Sequence, residues 1–119
     1  MVTLYEYEAV VISVHDGDTV RADIDLGFGI WKRNEPLRLL NLDAPEVYGE
    51  EKPLGIVSRD ALRDRILGKL ITLHTVKPVD PIVNHDKRDK YGRYLAVIWD
   101  EFGCVNDWLI ETGYAVPYT

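Results

Sequence analysis

Apolar and polar residues alternate along the first part of the chain with the period of two that is typical of β-strands. Residues 19–26 alternate strictly, and residues 5–14 alternate at first and then become mostly apolar. Asp16-Gly17-Asp18 separates these two stretches, and both aspartate and glycine favour turns. The pattern therefore predicts an antiparallel hairpin with one buried face.

A third strand is predicted in two parts, over residues 30–33 and 37–42, with an interruption near Pro36 because proline cannot donate to a sheet. Leu39 and Leu40 are adjacent, which shifts the phase of the apolar alternation. A β-bulge, or burial of both faces as the sheet curls, would explain the shift.

The rest of the chain adds two helices and two strands. Apolar residues at helical spacing predict helices over residues 53–66 and 105–112, and shorter apolar runs predict strands over residues 69–77 and 94–99. Five strands with a helix between the third and fourth match a mainly β, OB-type closed barrel with two packed helices. We expect one domain spanning residues 1–119, and a sandwich of three strands on two is the structural alternative.

Composition narrows the class of protein. The 119 residues are 46% apolar, which is enough for one globular core, and no apolar run approaches the roughly 20 residues that span a bilayer. The first residues lack the features of a signal peptide, so we expect a cytoplasmic protein. Cys104 is the sole cysteine and cannot form an intrachain disulfide. The net charge of −6 argues against binding nucleic acid by bulk electrostatics, although it permits a local cationic cleft.

Two aspartates form a candidate metal site. Asp18 precedes one predicted strand and Asp43 follows another. If these two strands are neighbours, both carboxylates lie at the same rim of the barrel. Two hard oxygen donors, completed by a backbone carbonyl and water, suit Ca²⁺ or Mg²⁺ with weak affinity. The alternative is that these aspartates only cap turns.

Two arginines and a glutamate suggest phosphodiester chemistry at the same rim. Arg38 lies among leucines and Arg93 follows a glycine before a strand, and either could instead form a surface ion pair. Together with a metal, two guanidinium groups could bind phosphoryl oxygens and offset the charge that develops when water attacks. Glu46 could orient or deprotonate that water.

Three stretches in register, residues 16–20, 38–46 and 89–93, resemble the staphylococcal nuclease family, and the likeness continues through residues 94–98 and 105–115. The resemblance implies an OB-fold and Ca²⁺-dependent endonuclease activity on DNA and/or RNA that leaves 3′-phosphate ends. It implies no small-molecule cofactor, and we expect a monomer that does not bind membranes.

The resemblance also assigns roles to individual residues. Asp18, Asp43 and the backbone carbonyl of Ala44 match the calcium ligands, and Asp16 matches a carboxylate that supports the site from behind them. Arg38 and Arg93 match the arginines that stabilise the transition state, and Glu46 matches the proposed base. The positions that match nucleotide contacts are Lys90, Tyr91 and Tyr118.

The chain departs from the family pattern in three places. Ala44 replaces a threonine, and the loop of residues 47–52 carries glutamates where the type enzyme is rich in lysine. The chain also stops at Thr119, so we expect it to lack the last helix of the type enzyme. The alternative function is therefore a catalytically weak or silent module that binds nucleic acid or protein. The joint presence of both aspartates, both arginines and the glutamate favours the enzyme.

Overall fold

The computed structural model describes residues 5–75 and 93–118, which form eight β-strands and two α-helices. One turn of 3₁₀ helix, Gly49–Glu51, precedes the first α-helix. The elements in chain order are β1 (Glu6–Asp16), β2 (Thr19–Gly27), β3 (Ile30–Leu39), β4 (Leu42–Asp43), α1 (Lys52–Ile66), β5 (Leu70–Thr75), β6 (Tyr94–Asp100), β7 (Gly103–Cys104), α2 (Val105–Glu111) and β8 (Val116–Pro117).

The five long strands close into a barrel. Antiparallel pairs join β3 to β2, β2 to β1, β1 to β5 and β5 to β6. A parallel pairing of β3 with β6, in which Arg38 is opposite Leu95, closes the circle. The predicted five-stranded OB-type barrel with two helices is therefore confirmed, and the open sandwich is excluded.

The barrel interior is filled by the apolar residues of the alternating strands. Val20, Ala22 and Ile24 of β2 are buried, whereas Leu26 is exposed because it lies beyond the end of the core. The helices close the barrel with apolar faces of their own, from which Leu62 and Leu109 are fully buried. This burial fixes which residues of each strand face outward, and hence which ones can form a site.

Strand β3 is continuous through Pro36, contrary to the prediction, and this residue is aligned with Arg21 of β2. The irregularity lies earlier in β3, where a step of two residues along β2 corresponds to a step of three residues along β3. Asn34 lies in this bulge with a φ of 54°, a left-handed conformation that asparagine tolerates better than most residues.

Strand β3 also ends at Leu39, before the predicted end at residue 42. Leu40 and Asn41 form a turn in which Asn41 has a φ of 64°, so the adjacent leucines mark a reversal of the chain. The next two residues form β4, which pairs with β8 near the end of the described chain. This small second sheet was not predicted, and it brings Asp43 to the mouth of the barrel.

The helices follow the sequence signals closely. Helix α1 has a proline in its first turn, and Gly68 beyond its end has a φ of 74°, the left-handed conformation common after a helix. Helix α2 is followed by Gly113 with a φ of 82°. Within the described ranges, neither helix is long and apolar enough to cross a membrane.

Candidate active site

A cleft of about 820 Å³ opens where the β1–β2 turn, the end of β3 and the start of β6 meet. Charged side chains from these separate elements line it, together with aromatic residues. The members that were predicted from the sequence are Asp16, Asp18, Arg38, Asp43, Glu46, Arg93 and Tyr118. The closed barrel therefore gathers one set of acidic and basic groups from positions far apart in the chain.

Asp18 is buried in the β1–β2 turn and holds several donors. The backbone N–H of Ala44 donates to Oδ2 at 2.8 Å, and the hydroxyl of Thr19 donates to Oδ1 at 2.9 Å. The N–H of Asp18 itself donates to Asp16 Oδ1 at 3.1 Å. Burial and the neighbouring Asp16 carboxyl raise the pKa of Asp18, even though Ala44 and Arg38 act in the opposite direction. Positive charge beside Asp18 therefore acts against burial and favours the ionised form of this carboxyl.

Arg38 lies between the two aspartates. Its Nη1 is 2.8 Å from Asp18 Oδ2, and its Nη2 donates to the carbonyl of Leu42 at 3.1 Å and to Asp43 Oδ1 at 3.4 Å. Burial opposes the charge of this guanidinium, but the carboxylates of Asp18 and Asp43 outweigh it and raise the pKa of Arg38. The arginine is thus fixed in its charged form at the cleft.

Arg93 reaches the same buried carboxylate through a hydroxyl. It lies just before β6, and its Nη1 donates to Thr19 Oγ1 at 3.0 Å. Because Thr19 in turn donates to Asp18, one aspartate positions both arginines, directly for Arg38 and through the hydroxyl for Arg93. The two guanidinium groups therefore face one cleft from the neighbouring strands β3 and β6.

Asp43 and Glu46 are more accessible than Asp18. The side chain of Asp43 is 52% exposed, and Glu46 is also accessible while lining the cleft. The backbone N–H of Glu46 donates to Glu51 at 3.3 Å. Helix α1 supports this segment at Gly55, where a Cβ atom would overlap the carbonyl oxygen of Glu46. The segment is therefore held by its backbone, and its two carboxylates can reach a ligand.

Comparison with known proteins identifies the family. Residues 36–119 match the family described as staphylococcal nuclease homologue. The chain belongs to the staphylococcal nuclease family. The match includes the end of β3 with Arg38, the segment with Asp43 and Glu46, and Arg93 before β6.

Three relatives cover most of this chain. The endonuclease YhcR of Bacillus subtilis is 37% identical over 120 residues, which are 95% of this chain but 9% of that protein. Uncharacterized proteins of Methanocaldococcus jannaschii and Bacillus anthracis are 31% and 29% identical, covering 94% and 89% of this chain. The chain spans only 59% and 45% of these two relatives. Of these three relatives, the Bacillus subtilis protein is the one whose name states an activity, that of an endonuclease.

Of the predicted residues within the described part of the chain, Ala44 does not line the cleft. Ala44 is buried, and its N–H donates to Asp18, while a ligand role for its carbonyl stays a prediction. Lys90 and Tyr91 lie outside the described residues. By contrast, Tyr118 is exposed at the cleft, where its N–H donates to the carbonyl of Asn41 at 2.9 Å.

Four further residues in or beneath the cleft did not follow from the sequence. Thr19 links Asp18 to Arg93, and its position beside the Asp-Gly-Asp turn was the only available signal. His15 and Tyr48 line the cleft. Asn106 is buried under it, where its Nδ2 donates to the carbonyls of Leu40 and Ala96 and its Oδ1 accepts from Ile98. This asparagine fixes the end of β3 against β6.

The donor chemistry of the cleft fits a hard divalent cation. Asp18 and Asp43 converge on one guanidinium, and carboxylates of this kind suit Ca²⁺ or Mg²⁺. Among the described residues, however, no three acidic, histidine or cysteine side chains are grouped to hold an ion. An ion here would need these two carboxylates together with backbone carbonyl and water oxygens, which is a weak donor set.

Proposed function

We propose that this domain is a Ca²⁺-dependent endonuclease that hydrolyses phosphodiester bonds of DNA and/or RNA and leaves 3′-phosphate ends. The observation that carries the proposal is the organisation of Arg38 and Arg93 around the buried carboxylate of Asp18. Two fixed guanidinium groups at one cleft are suited to a phosphate, because their forked donors match phosphoryl oxygens. The family and the endonuclease relative agree with this chemistry.

The residues of the chain have separate tasks in this proposal. Arg38 and Arg93 bind the non-bridging oxygens of the phosphate and stabilise the negative charge that grows during attack. Glu46 accepts a proton from the attacking water, and its accessibility leaves room for that water. The water attacks phosphorus in line with the 5′ oxygen, which leaves, so the phosphate stays on the 3′ side.

Asp18 and Asp43 would hold the calcium ion, with a backbone carbonyl as a further ligand. When bound, the ion adds positive charge close to the phosphate and polarises it. Arg38 contacts both of these carboxylates, so the residues that would hold the ion also position this arginine.

The deciding experiment measures cleavage of heat-denatured DNA and of a single-stranded RNA with Ca²⁺ and with EDTA. The catalytic variant is Glu46→Gln, and Glu50→Gln is the matched control because Glu50 is an exposed carboxylate of the adjoining loop that does not line the cleft. We expect Ca²⁺-dependent cleavage that EDTA and Glu46→Gln abolish and that Glu50→Gln preserves. Mass spectrometry of the products identifies the phosphorylated end.

The same experiment tests the alternative. A folded protein that binds the oligonucleotides but cleaves neither of them, with or without Ca²⁺, would overturn the proposed activity and assign the domain to the binding modules. Cleavage that persists in EDTA would instead remove calcium from the proposal.

A further inference from the structure

A second groove, of about 560 Å³, adjoins the cleft between helix α1 and the strands β1 to β3. Among the described residues, no acidic side chain lines this groove, although the whole chain has 20 acidic and 14 basic residues. Its basic members are His15, Arg21, Arg59, Arg63 and Arg93. The groove is therefore a concentrated cationic surface on an acidic protein.

Backbone carbonyls hold two of these arginines in place. Arg63 donates from Nε and Nη2 to the carbonyl of Val14 at 3.2 and 3.0 Å, and Arg21 donates to the carbonyl of Asn34 at 3.0 Å. A carbonyl carries no net charge, so these bonds orient the guanidinium groups without neutralising them.

A single carboxylate pairs with the two arginines of helix α1 that line the groove. Asp60 Oδ1 lies 3.0 Å from Arg59 Nε and 3.8 Å from Arg63 Nη1, and it does not line the groove. Two guanidinium groups and one carboxylate leave a net positive charge on this wall of the groove.

The groove and the cleft are continuous. His15, Thr19 and Arg93 line both of them. A phosphate held by Arg93 at the cleft is thus at the edge of the groove, and the next phosphates of the same strand carry one negative charge each. The groove therefore offers further cationic side chains, beyond the cleft, to a ligand with charge repeated along its length.

We propose that this groove binds the phosphodiester backbone of a single nucleic-acid strand beyond the bond that is cleaved. This inference rests on the proposed nuclease function, and it extends the substrate contact to Arg21, Arg59 and Arg63. A nucleic-acid strand is favoured over an acidic protein because the groove continues a site whose paired guanidinium groups suit phosphate. It also explains how a chain with a net charge of −6 can attract a polyanion.

Binding of oligothymidylates of 3 and 12 nucleotides tests the proposal. Fluorescence anisotropy in EDTA measures affinity without cleavage, at several NaCl concentrations. The variants are Arg21→Gln and Arg63→Gln, and Lys69→Gln is a control that removes one exposed charge away from the groove. Arg63→Lys keeps the charge and tests whether charge restores binding, and circular dichroism verifies folding.

We expect each glutamine variant to weaken binding of the 12-mer about fivefold more than binding of the 3-mer. The slope of log affinity against log salt should become shallower by about 0.7 for each phosphate that the variant no longer neutralises. Lys69→Gln should leave both affinities within about twofold of the original protein, and Arg63→Lys should recover most of the affinity for the 12-mer.

Equal decreases in affinity for the 3-mer and the 12-mer, or decreases no larger than that of Lys69→Gln, would overturn the proposal that the groove binds a nucleic-acid strand. Oligoglutamate of matched charge is a further arm, and equally tight binding that the same variants weaken would reassign the groove to an acidic protein segment. The binding result does not depend on catalysis. A protein that cleaves nothing but shows the length effect would refute the nuclease and keep the groove.

Discussion

The guanidinium of Arg38 lies 2.8 Å from the carboxylate of Asp18, at the start of the β2–β3 pairing and at the mouth of the barrel. The two side chains are only 18% and 4% exposed, so water screens the pair weakly. Losing either partner would leave a largely buried charge without its counterion. The same arginine thus serves the fold, through Asp18, and the proposed chemistry, through phosphate.

Arg38→Lys should separate these two tasks. Lysine keeps a positive charge near Asp18 but lacks the fork that binds two phosphoryl oxygens, so we expect the cleavage rate to fall about 100-fold or more. Arg38→Ala should lose activity as well and also about 3 kcal/mol of unfolding free energy. Cleavage assays and urea unfolding measure the two effects. Full activity in Arg38→Lys would show that charge alone suffices.

The hydroxyl of Thr19 should position Arg93 without touching the substrate. Thr19→Val keeps the shape but removes the group that bridges Asp18 and Arg93, so we expect about tenfold slower cleavage and a loss of about 1 kcal/mol of stability. Thr19→Ser retains the hydroxyl and should restore most of the rate. A serine variant as slow as the valine variant would contradict this role, because serine keeps the hydroxyl that bridges Asp18 and Arg93 and lacks only the methyl group.

The pattern of apolar residues was sufficient to predict the barrel because each long strand buries one face. It could not locate the end of β3, since the three leucines within residues 39–42 conceal the turn at Asn41. The site was predictable only as motifs in separate stretches. The contacts of Arg38 with Asp18, and of Arg93 with Thr19, depend on strand pairing that no local pattern records.

The cationic groove illustrates the same limit. Arg21 alternates with buried residues in β2, as any solvent-facing side chain would, and Arg63 lies on a helix with charges of both signs. Only the packing of α1 against β1 brings these two arginines to one surface.

Asp43→Asn should weaken calcium binding, because the amide lacks the charge that Ca²⁺ favours in a ligand. Calorimetric titration of the protein with CaCl₂ should show about tenfold weaker binding, while Glu101→Gln, an exposed change in the β6–β7 turn, should bind as before. If calcium raises the thermal stability of the protein, removal of the ion with EDTA should reverse that rise. An unchanged calcium titration of Asp43→Asn would show that Asp43 is not a calcium ligand.

Gly55→Ala should disturb the site from inside helix α1. Alanine normally favours a helix over glycine by about 1 kcal/mol, but a Cβ here would overlap the backbone of Glu46. We therefore expect a net loss of stability and slower cleavage, since the segment with Asp43 and Glu46 must shift. Val57→Ala, at an exposed position of the same helix, is the control and should be nearly neutral. A stabilised, fully active Gly55→Ala would show that the segment with Asp43 and Glu46 can move to accommodate the Cβ atom without harm to the site.

Asp100 forms an ion pair with Arg65 that joins β6 to α1 outside the cleft, with N–O distances of 2.7 and 2.8 Å. The bonds from Arg65 lower the pKa of Asp100 below its usual value, despite burial. The folded state therefore stabilises the ionised form of Asp100. This ionised carboxylate contributes to the stability of the protein at pH values above the pKa that Asp100 has in the unfolded chain. The contribution is lost as the pH falls through the lower pKa that Asp100 has in the folded protein.

Asp100→Asn should consequently reduce the unfolding free energy at pH 7 by about 2 kcal/mol. The difference from the original protein should shrink below about pH 4, where Asp100 begins to gain a proton in the unfolded chain. Urea unfolding at a series of pH values measures this difference. The cleavage rate at pH 7 and at a temperature where both proteins are folded should be unchanged, because neither Asp100 nor Arg65 lines the cleft. A difference independent of pH would show that the asparagine disturbs packing and that the charge of Asp100 contributes little.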